Sequence, residues 1–266
     1  MTPAPRRAGV LGSPIAHSRS PQLHLAAYRA LGLTGWTYDR IECTGEQLPA
    51  MVSAFGPEWV GVSVTMPGKI AALRFADEVT ARAQLIGSAN TLVRTQAGWR
   101  ADNTDVDGVV GALAGHRPAH AMVIGSGGTA PSAVVGLIEL GARRVTVAAR
   151  NPTKAATLVD LAARCGVEAD HCDITTDVTV DGVDVLVNTV PADAVAPYAP
   201  ALAAVPVLLD AIYDPWPTPL AAAVGTAGGE VISGLHMLLN QAFTQVEQFT
   251  GRPAPREAMR AALLAD

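Results

Sequence analysis

Cysteine is scarce in this chain of 266 residues. The three cysteines, Cys43, Cys165 and Cys172, are unevenly spaced and form no Cys-x-x-Cys motif. An odd, scattered set argues against a disulfide framework and favours reduced thiols in a cytoplasmic protein. His171 and Asp173 flank Cys172, but one histidine with two thiols falls short of a closed zinc site, so no metal is expected.

Charge is also sparse. Charged residues make up 16% of the chain, the formal net charge is −5, and no basic run occurs. These values make nucleic acid and anionic membranes poor partners. Hydrophobic residues make up 49%, enough for the cores of two domains of ordinary size.

A membrane-spanning or exported protein is not indicated. The long uncharged tract at residues 194–209 is interrupted by three prolines, which an undisturbed membrane helix tolerates poorly. The Arg-Arg pair at residues 6–7 suggests an export signal, but the apolar stretch at residues 8–11 is too short for one. We therefore expect a cytoplasmic protein without a membrane span.

The N-terminal part alternates between strand-like and helix-like segments. Ser20 before Pro21 is typical of an N-cap and predicts a helix to Leu31. Thr44 and Gln47 match a capping box, which predicts a second helix. Strands are predicted at residues 8–11, 36–42 and 59–64, and a hairpin about Gly98 joins residues 90–94 to 99–101.

After Asp105 the alternation becomes regular, as in a parallel sheet covered on both faces. Strands are predicted at residues 121–124, 145–149, 183–187 and 205–209. Helices are predicted at residues 106–113, 131–140, 235–249 and 255–264. The chain is therefore predicted to be an α/β protein.

A glycine-rich loop lies between a predicted strand and a predicted helix. Gly125, Gly127 and Ala130, with Gly128 beside them, fit the G-x-G-x-x-G/A fingerprint of dinucleotide sites. The first position permits a tight turn, the second admits a pyrophosphate, and the third lets the helix pack close to the strand. The alternative is an ordinary glycine turn, but the position at a helix N-terminus favours phosphate binding.

The residues after the next strand bear on the choice of cofactor. An NAD site usually has a carboxylate here, whereas this chain supplies Arg150 and Lys154. Both suit the 2′-phosphate of NADP, since a guanidinium can grip phosphate with two donors. The alternative is a solvated arginine before a capped helix.

Lys69 and Asp105 are the candidate catalytic residues. A lysine and an aspartate give one site a proton donor and a group to orient it. Because the nucleotide fingerprint follows Asp105, hydride transfer is the predicted chemistry. The alternatives are a lysine on a helix surface and an aspartate that caps a helix.

Six segments, in order, resemble the signature of the shikimate dehydrogenase family. They are residues 12–24, 64–69, 87–91, 103–105, 210–215 and 234–241. The resemblance covers nearly the whole chain and implies NADP-linked reduction of 3-dehydroshikimate to shikimate, on the chorismate route to aromatic amino acids. It also implies a substrate-binding catalytic domain at residues 1–105 plus 235–266, with the C-terminal helices packed back on it, and a Rossmann-like, doubly wound NADP-binding domain at residues 106–234.

The resemblance implies roles for further residues. Ser18 and Ser20 would bind the substrate carboxylate, and Tyr213 would lie near the substrate. The substrate ring would be surrounded by Lys69, Asp105, Thr65, Asn90 and Gln241. The nicotinamide end of the cofactor would be lined by Gly234 and Met237. Three of these residues have an alternative, structural explanation: Ser20 as a helix cap, Gln241 as a solvated residue and Met237 as part of the core. His17 and His24 lack an acidic partner at motif spacing, so polar packing is expected for them.

Some positions depart from the family pattern. The family usually has Asn where Ser63 and Leu25 stand, and residues 188–194 and 149–151 also differ. A quinate/shikimate dehydrogenase with relaxed substrate or cofactor choice is therefore an alternative. So is a non-catalytic shikimate-binding sensor. Methylene-tetrahydrofolate dehydrogenases share the architecture but would not require Ser18, Ser20, Asn90 and Asp105 together. The assembly is expected to be a monomer or a homodimer.

Overall fold

Within residues 5–176 and 178–264, which the computed structural model describes, twelve β-strands form two six-stranded sheets. Each sheet belongs to its own compact unit. The first unit contains the described residues up to Thr104 and from Leu238 onwards, and the second contains Asp105–Met237. The two limits differ from those expected from the sequence by one residue and by three residues.

The sheet of the first unit is mixed. Its strands are β1 (Arg6–Gly12), β2 (Trp36–Glu42), β3 (Trp59–Val64), β4 (Glu78–Val79), β5 (Thr91–Thr95) and β6 (Gly98–Asp102), in the order β2-β1-β3-β5-β6-β4. β1 is parallel to β2 and β3, whereas β5 is antiparallel to β3 and β6. The hairpin predicted from the sequence is confirmed, and Gly98 opens β6 with a φ of +129°.

The sheet of the second unit is parallel throughout. Its strands are β7 (His120–Ile124), β8 (Arg144–Ala148), β9 (Glu168–Cys172), β10 (Val185–Asn188), β11 (Val207–Asp210) and β12 (Glu230–Ser233), in the order β12-β11-β10-β7-β8-β9. The chain moves from β7 to one side and then returns to build the other, which confirms the doubly wound arrangement. The carboxyl ends of all the strands therefore lie at the same edge.

Helices connect the strands. They are α1 (Ser20–Ala30), α2 (Leu48–Ser53), α3 (Lys69–Phe75), α4 (Ala81–Ile86), α5 (Asp105–Ala112), α6 (Ala130–Glu139), α7 (Pro152–Arg164), α8 (Ala192–Val195), α9 (Ala199–Leu202), α10 (Pro219–Thr226), α11 (Gly234–Thr250) and α12 (Arg256–Leu264). A 3-10 turn, Ala196–Tyr198, lies between α8 and α9. In the described part of the chain, no helix has both the length and the apolar composition needed to cross a bilayer.

The C-terminal helices pack on the N-terminal part of the first unit. Arg19 Nη2 donates to the Leu263 carbonyl (3.1 Å), and Gln22 Nε2 donates to the Ala262 carbonyl (2.6 Å), which ties α1 to α12. A Cβ at Gly61 on β3 would collide with the ring of Phe249 on α11. Glycine at this position therefore lets α11 lie directly on the sheet.

Two helix starts differ from the prediction. The N-cap assigned to Ser20 is wrong: Ser20 is already helical, Arg19 takes the cap position, and no side chain caps the helix. Pro21 is compatible with a cap at either Arg19 or Ser20. Proline lacks an N–H group, and no N–H group in the first turn of a helix has an acceptor within that helix. Thr44 and Gln47 do exchange the two capping-box hydrogen bonds (2.9 and 3.3 Å), yet the regular helix begins only at Leu48.

Candidate active site

Lys69 lies just after the turn that ends β3. The Thr65 N–H donates to the Leu11 carbonyl (2.8 Å) and the Gly68 N–H donates to the Thr65 carbonyl (2.9 Å), so the turn is tied to β1. A Cβ at Gly12 would overlap the Thr65 methyl group, so a glycine is required at the end of β1. Lys69 is the first residue of α3 and only 9% exposed. The reading as a helix-surface lysine is therefore wrong, since lysines are rarely buried without a partner or a function.

Asn90 joins three distant parts of the first unit. Its Oδ1 accepts a hydrogen bond from the Thr104 N–H (2.7 Å). Its Nδ2 donates to Gln241 Oε1 (2.8 Å) and to Thr104 Oγ1 (3.0 Å). All three residues are buried, and Gln241 is only 9% exposed, so its reading as a solvated residue is wrong. The structure thus brings three of the sequence motifs into one polar cluster.

Asp105 follows this cluster in the chain as the first residue of the second unit. It is 6% exposed and begins α5. It is therefore inside the first helical turn rather than at the N-cap, where its negative charge still suits the positive end of the helix dipole. Before it, Asn103 Nδ2 donates to the Ser88 carbonyl (3.0 Å) and fixes the strand end.

Ser18 and Ser20 lie between β1 and α1. The Ser18 N–H donates to the Ile15 carbonyl (3.1 Å), and Ser18 Oγ accepts a weak hydrogen bond from the Ser20 N–H (3.4 Å). The Ser20 side chain is buried. No side chain caps α1, so the helix does not need the hydroxyl of Ser20, its first residue.

The two histidines of the first motif have different environments. His17 is exposed. His24 is fully buried, stacks on the Tyr38 ring at a centroid distance of 4.0 Å and lies 3.3 Å from Gln245 Oε1. Burial lowers the pKa of His24 to about 3, against a smaller opposing effect of the Gln245 hydrogen bond, so this imidazole is neutral. The polar packing predicted for His24 is confirmed.

His171, which precedes Cys172, also has a packing role. His171 Nε2 lies 2.8 Å from the Ala149 carbonyl, a backbone acceptor at the end of β8. Within the described ranges, no cluster of histidine, cysteine, aspartate or glutamate side chains has the arrangement of a metal site.

The glycine loop connects β7 to α6 in the second unit. Gly125 has a φ of +102°, and a Cβ there would lie 2.5 Å from a Val190 methyl group. Glycine is therefore needed at this position by the fold itself. Gly127 is different: a Cβ there would meet no atom within 4 Å. Open space at the second glycine fits a bound pyrophosphate, and Ala130 is buried at the start of α6 as the fingerprint requires.

A cavity of about 260 Å³ adjoins this loop. Arg150 and Lys154 line it together with Gly125 and Gly127, and none of its described lining residues is acidic. Asn151 caps α7 by accepting a hydrogen bond from the Lys154 N–H (2.9 Å), so the capped helix and the basic pair coexist. The donors present suit the phosphates of NADP, and no carboxylate is available for the ribose hydroxyl of NAD.

Asp210, at the end of β11, holds the loop that carries Tyr213. Its Oδ1 accepts from the Ile212 N–H (3.1 Å) and from Asn188 Nδ2 (2.9 Å), and its Oδ2 accepts from Thr218 Oγ1 (2.6 Å). Asn188, Asp210 and Thr218 are fully buried, whereas Tyr213 is half-buried. The altered segment that begins at Asn188 therefore has a structural role at its first residue.

Gly234 and Met237 occupy the first turn of α11. A Cβ at Gly234 would collide with the Ala211 carbonyl, so the helix can begin here only with glycine. Met237 is 6% exposed. The burial of Met237 is also expected if this residue is simply part of the core.

Sequence reasoning missed several polar residues of the first unit. Thr91, Thr104, Tyr38 and Gln245 are all buried and hydrogen-bonded to the cluster or to its neighbours. The only available signal was a second glutamine one turn after Gln241 in α11, which places both on the same helix face.

Comparisons with known proteins agree with the motifs. The model of the shikimate dehydrogenase substrate binding domain matches residues 10–92, and that of the shikimate 5′-dehydrogenase C-terminal domain matches residues 234–264. A shikimate dehydrogenase (NADP(+)) of Cereibacter sphaeroides is 37% identical, over 97% of this chain and 96% of the relative. The chain belongs to the shikimate dehydrogenase family. The family predicted from the sequence is thereby confirmed.

Solved structures of this family share the fold. The crystal structure of Mycobacterium tuberculosis shikimate dehydrogenase has a TM-score of 0.95 and 71% identity, covering 98% of this chain and 100% of that one. Shikimate 5-dehydrogenase from Thermus thermophilus, in complex with NADP(H) and shikimate, has a TM-score of 0.83 and 29% identity, covering 98% and 99%. The two-domain α/β fold predicted from the sequence is confirmed.

Proposed function

We propose that this chain is an NADP-dependent oxidoreductase that interconverts 3-dehydroshikimate and shikimate, on the chorismate route to aromatic amino acids. The buried cluster of Asn90, Thr104 and Gln241 carries the proposal. Hydrogen bonds to another amide and to a hydroxyl hold the Asn90 amide in place. The cluster therefore offers a polyol substrate donors and acceptors in fixed positions. The names of the curated relatives state the same activity and cofactor.

The first unit is proposed to bind the substrate. Ser18 and Ser20 offer hydroxyls to the substrate carboxylate. Thr65, Asn90 and Gln241 hold the ring hydroxyls, and the family motif also assigns Tyr213 to the substrate. These roles follow the family motifs residue by residue, and the burial of Asn90 and Gln241 supports them.

The second unit is proposed to bind NADP. The loop that contains Gly125, Gly127, Gly128 and Ala130 binds the pyrophosphate, while Gly234 and Met237 line the nicotinamide end. Arg150 and Lys154 contact the 2′-phosphate. The open space at Gly127 and the basic lining of the cavity support this assignment.

Bound NADPH supplies the hydride to the ketone carbon. Lys69 holds a proton at Nζ, stabilises the negative charge that grows on the carbonyl oxygen, and gives that oxygen its proton. At a separation of about 4 Å and an effective dielectric constant of about 20, this attraction amounts to about 4 kcal/mol. The Asp105 carboxylate orients the reacting groups by accepting hydrogen bonds. In the oxidising direction the same lysine takes up the proton.

The test is the rate of NADPH or NADH formation with four pairs: shikimate or quinate, each with NADP⁺ or NAD⁺. Turnover with shikimate and NADP⁺ that far exceeds the other three is the expected result. Comparable rates with quinate or NAD⁺ would indicate the relaxed quinate/shikimate enzyme. Shikimate binding without turnover would indicate the sensor and overturn the proposed activity.

A cytoplasmic location is part of the proposal, because in the described part of the chain Cys43, Cys165 and Cys172 form no disulfide. The assembly is proposed to be a monomer or a homodimer. Light scattering on the purified protein distinguishes the two, and a larger mass would contradict both.

A further inference from the structure

A continuous chain of buried hydrogen bonds runs through the first unit. The Tyr38 hydroxyl donates to Ser63 Oγ (2.6 Å), which donates to Gln245 Oε1 (2.8 Å). Gln245 Nε2 donates to Thr91 Oγ1 (2.9 Å), and Thr91 Oγ1 donates to Asn90 Oδ1 (2.8 Å). The chain ends where Asn90 Nδ2 donates to Gln241 Oε1 (2.8 Å). Every donor therefore points in the same direction along the chain.

Two backbone groups fix this direction. The Thr104 N–H can only donate, so the Asn90 atom that faces it at 2.7 Å must be the amide oxygen. The Asn90 nitrogen then faces Gln241, whose facing atom must be an oxygen. The Asn90 carbonyl can only accept, so the Gln245 atom 3.3 Å from it must be the amide nitrogen. The Gln245 oxygen therefore faces Ser63, and Ser63 must accept from Tyr38.

The chain begins at Tyr38. Burial raises the pKa of the Tyr38 phenol, against smaller opposing effects of hydrogen bonds with Ser63 and Ser20, so Tyr38 keeps its single proton. That proton goes to Ser63. The other end of the chain, Gln241, is a proposed substrate ligand.

Gln245 uses the full capacity of its side-chain amide. Its oxygen accepts from Ser63 and lies 3.3 Å from His24 Nε2, and its nitrogen donates to Thr91 Oγ1 and to the Asn90 carbonyl. The neutral imidazole of His24 is a donor at Nε2 in this arrangement. A flipped amide would face the Asn90 carbonyl with its oxygen and lose these bonds at a fully buried position.

We propose that Gln245 is a positioning residue, which acts with the Thr104 N–H to hold the Asn90 and Gln241 amides in the orientation in which Gln241 presents its Nε2 group to a substrate hydroxyl oxygen. This inference rests on the proposed shikimate activity. Gln241 Oε1 is already occupied by Asn90 Nδ2 and by Thr104 Oγ1 (3.3 Å). Gln241 Nε2 makes no hydrogen bond within the described part of the chain, so it remains a donor for the substrate.

A double-mutant cycle between Gln245 and Gln241 tests the proposal. Gln245→Met removes the amide at similar length and is expected to lower kcat/KM for shikimate about tenfold, while KM for NADP⁺ stays within about twofold. In a Gln241→Ala background, the same substitution is expected to lower kcat/KM by a smaller factor than in the wild type, because the part of the effect that passes through Gln241 is absent. Thr250→Val is the control on α11, since it removes side-chain hydrogen bonds that lie away from the chain.

Each outcome decides the matter. Equal losses of kcat/KM in both backgrounds, or no loss in the wild-type background, would overturn the positioning role. If Gln245→Met does not fold, Tyr38→Phe takes its place in the cycle and removes one hydroxyl from the start of the chain. Wild-type protein that neither turns over nor binds shikimate would refute the proposed function and with it this inference. An active wild type with an additive cycle refutes the inference alone.

Discussion

Arg82 grips Asp102 with two hydrogen bonds: Nε donates to Oδ1 and Nη2 donates to Oδ2, both at 2.6 Å. Asp102 is 3% exposed and also accepts from Thr80 Oγ1 (2.8 Å) and Gln248 Nε2 (2.6 Å). Burial by itself raises the pKa of this carboxyl, but the Arg82 hydrogen bonds and charge, with the bonds from Thr80 and Gln248, lower the pKa to about 2. The Asn103 N–H donates to the same carboxylate (2.8 Å), which therefore anchors the segment that leads to Asp105.

Asp102→Asn is expected to lower the free energy of unfolding by about 3 kcal/mol at neutral pH, because it leaves Arg82 without its buried anion. Urea unfolding measures the loss. Asp39→Asn is the matched control, since the Arg7–Asp39 pair is nearly half exposed on both sides. That substitution should change the free energy by less than about 1 kcal/mol.

The same carboxylate predicts a pH dependence of stability. Its folded pKa lies below the ordinary value of 3.8, so its contribution is present above that value and is lost as the pH falls toward about 2. The wild type should lose about 2 kcal/mol more than Asp102→Asn across this window. Parallel stability curves for the two proteins would contradict the role assigned to Asp102.

Lys69→Met is expected to lower kcat by a factor of about 10² to 10⁴, because the carbonyl oxygen loses its proton donor. The dissociation constant of NADP⁺, measured by fluorescence titration, should stay within about twofold, since no cofactor contact is removed. Arg74→Met, which removes an exposed cation from the same helix, is the control. A loss confined to KM would mean that Lys69 binds the substrate without taking part in proton transfer.

Arg150→Ala is expected to raise KM for NADP⁺ about tenfold and to leave KM for NAD⁺ unchanged, because only NADP carries the 2′-phosphate. Steady-state kinetics with both cofactors checks this. Arg143→Ala removes an exposed arginine before β8 instead of after it and should change neither constant. Equal effects on both cofactors would contradict the assignment of Arg150.

Gly125→Ala and Gly127→Ala should separate folding from cofactor binding. Gly125 has a positive φ and a crowded Cβ position, so its substitution should lower the melting temperature. Gly127 has open space around it, so its substitution should leave the melting temperature unchanged while raising KM for NADP⁺. Unchanged cofactor affinity in Gly127→Ala would indicate that the pyrophosphate lies elsewhere.

The elements that the sequence predicted best include two strands rich in β-branched and aromatic residues. The strands at residues 36–42 and 59–64 are found with the predicted limits. Helix α3 was missed because Pro67 and Gly68 are typical of a turn and only seven helical residues follow. Strand β9 was missed because three of its five residues are polar or charged and none of the five is buried, so no alternation marks it.

The limits of prediction were different at the site. Gly125 and Gly127 carry one motif and have unlike roles, which only the surrounding atoms reveal. Tyr38, Ser63 and Gln245 belong to three separate elements and share no spacing in the sequence. A glutamine on an amphipathic helix also resembles a solvated residue until the packing is known.

The one-way hydrogen-bond chain from Tyr38 to Gln241 has a consequence for protein engineering. In such a chain, a single reversed member creates a donor–donor or acceptor–acceptor clash, so orientation is a property of the whole set. Libraries that vary Gln241 alone would therefore sample mostly frustrated sites. Redesign for another polyol should replace Gln241 together with its partners in the chain, with Gln245 kept as the shared constraint.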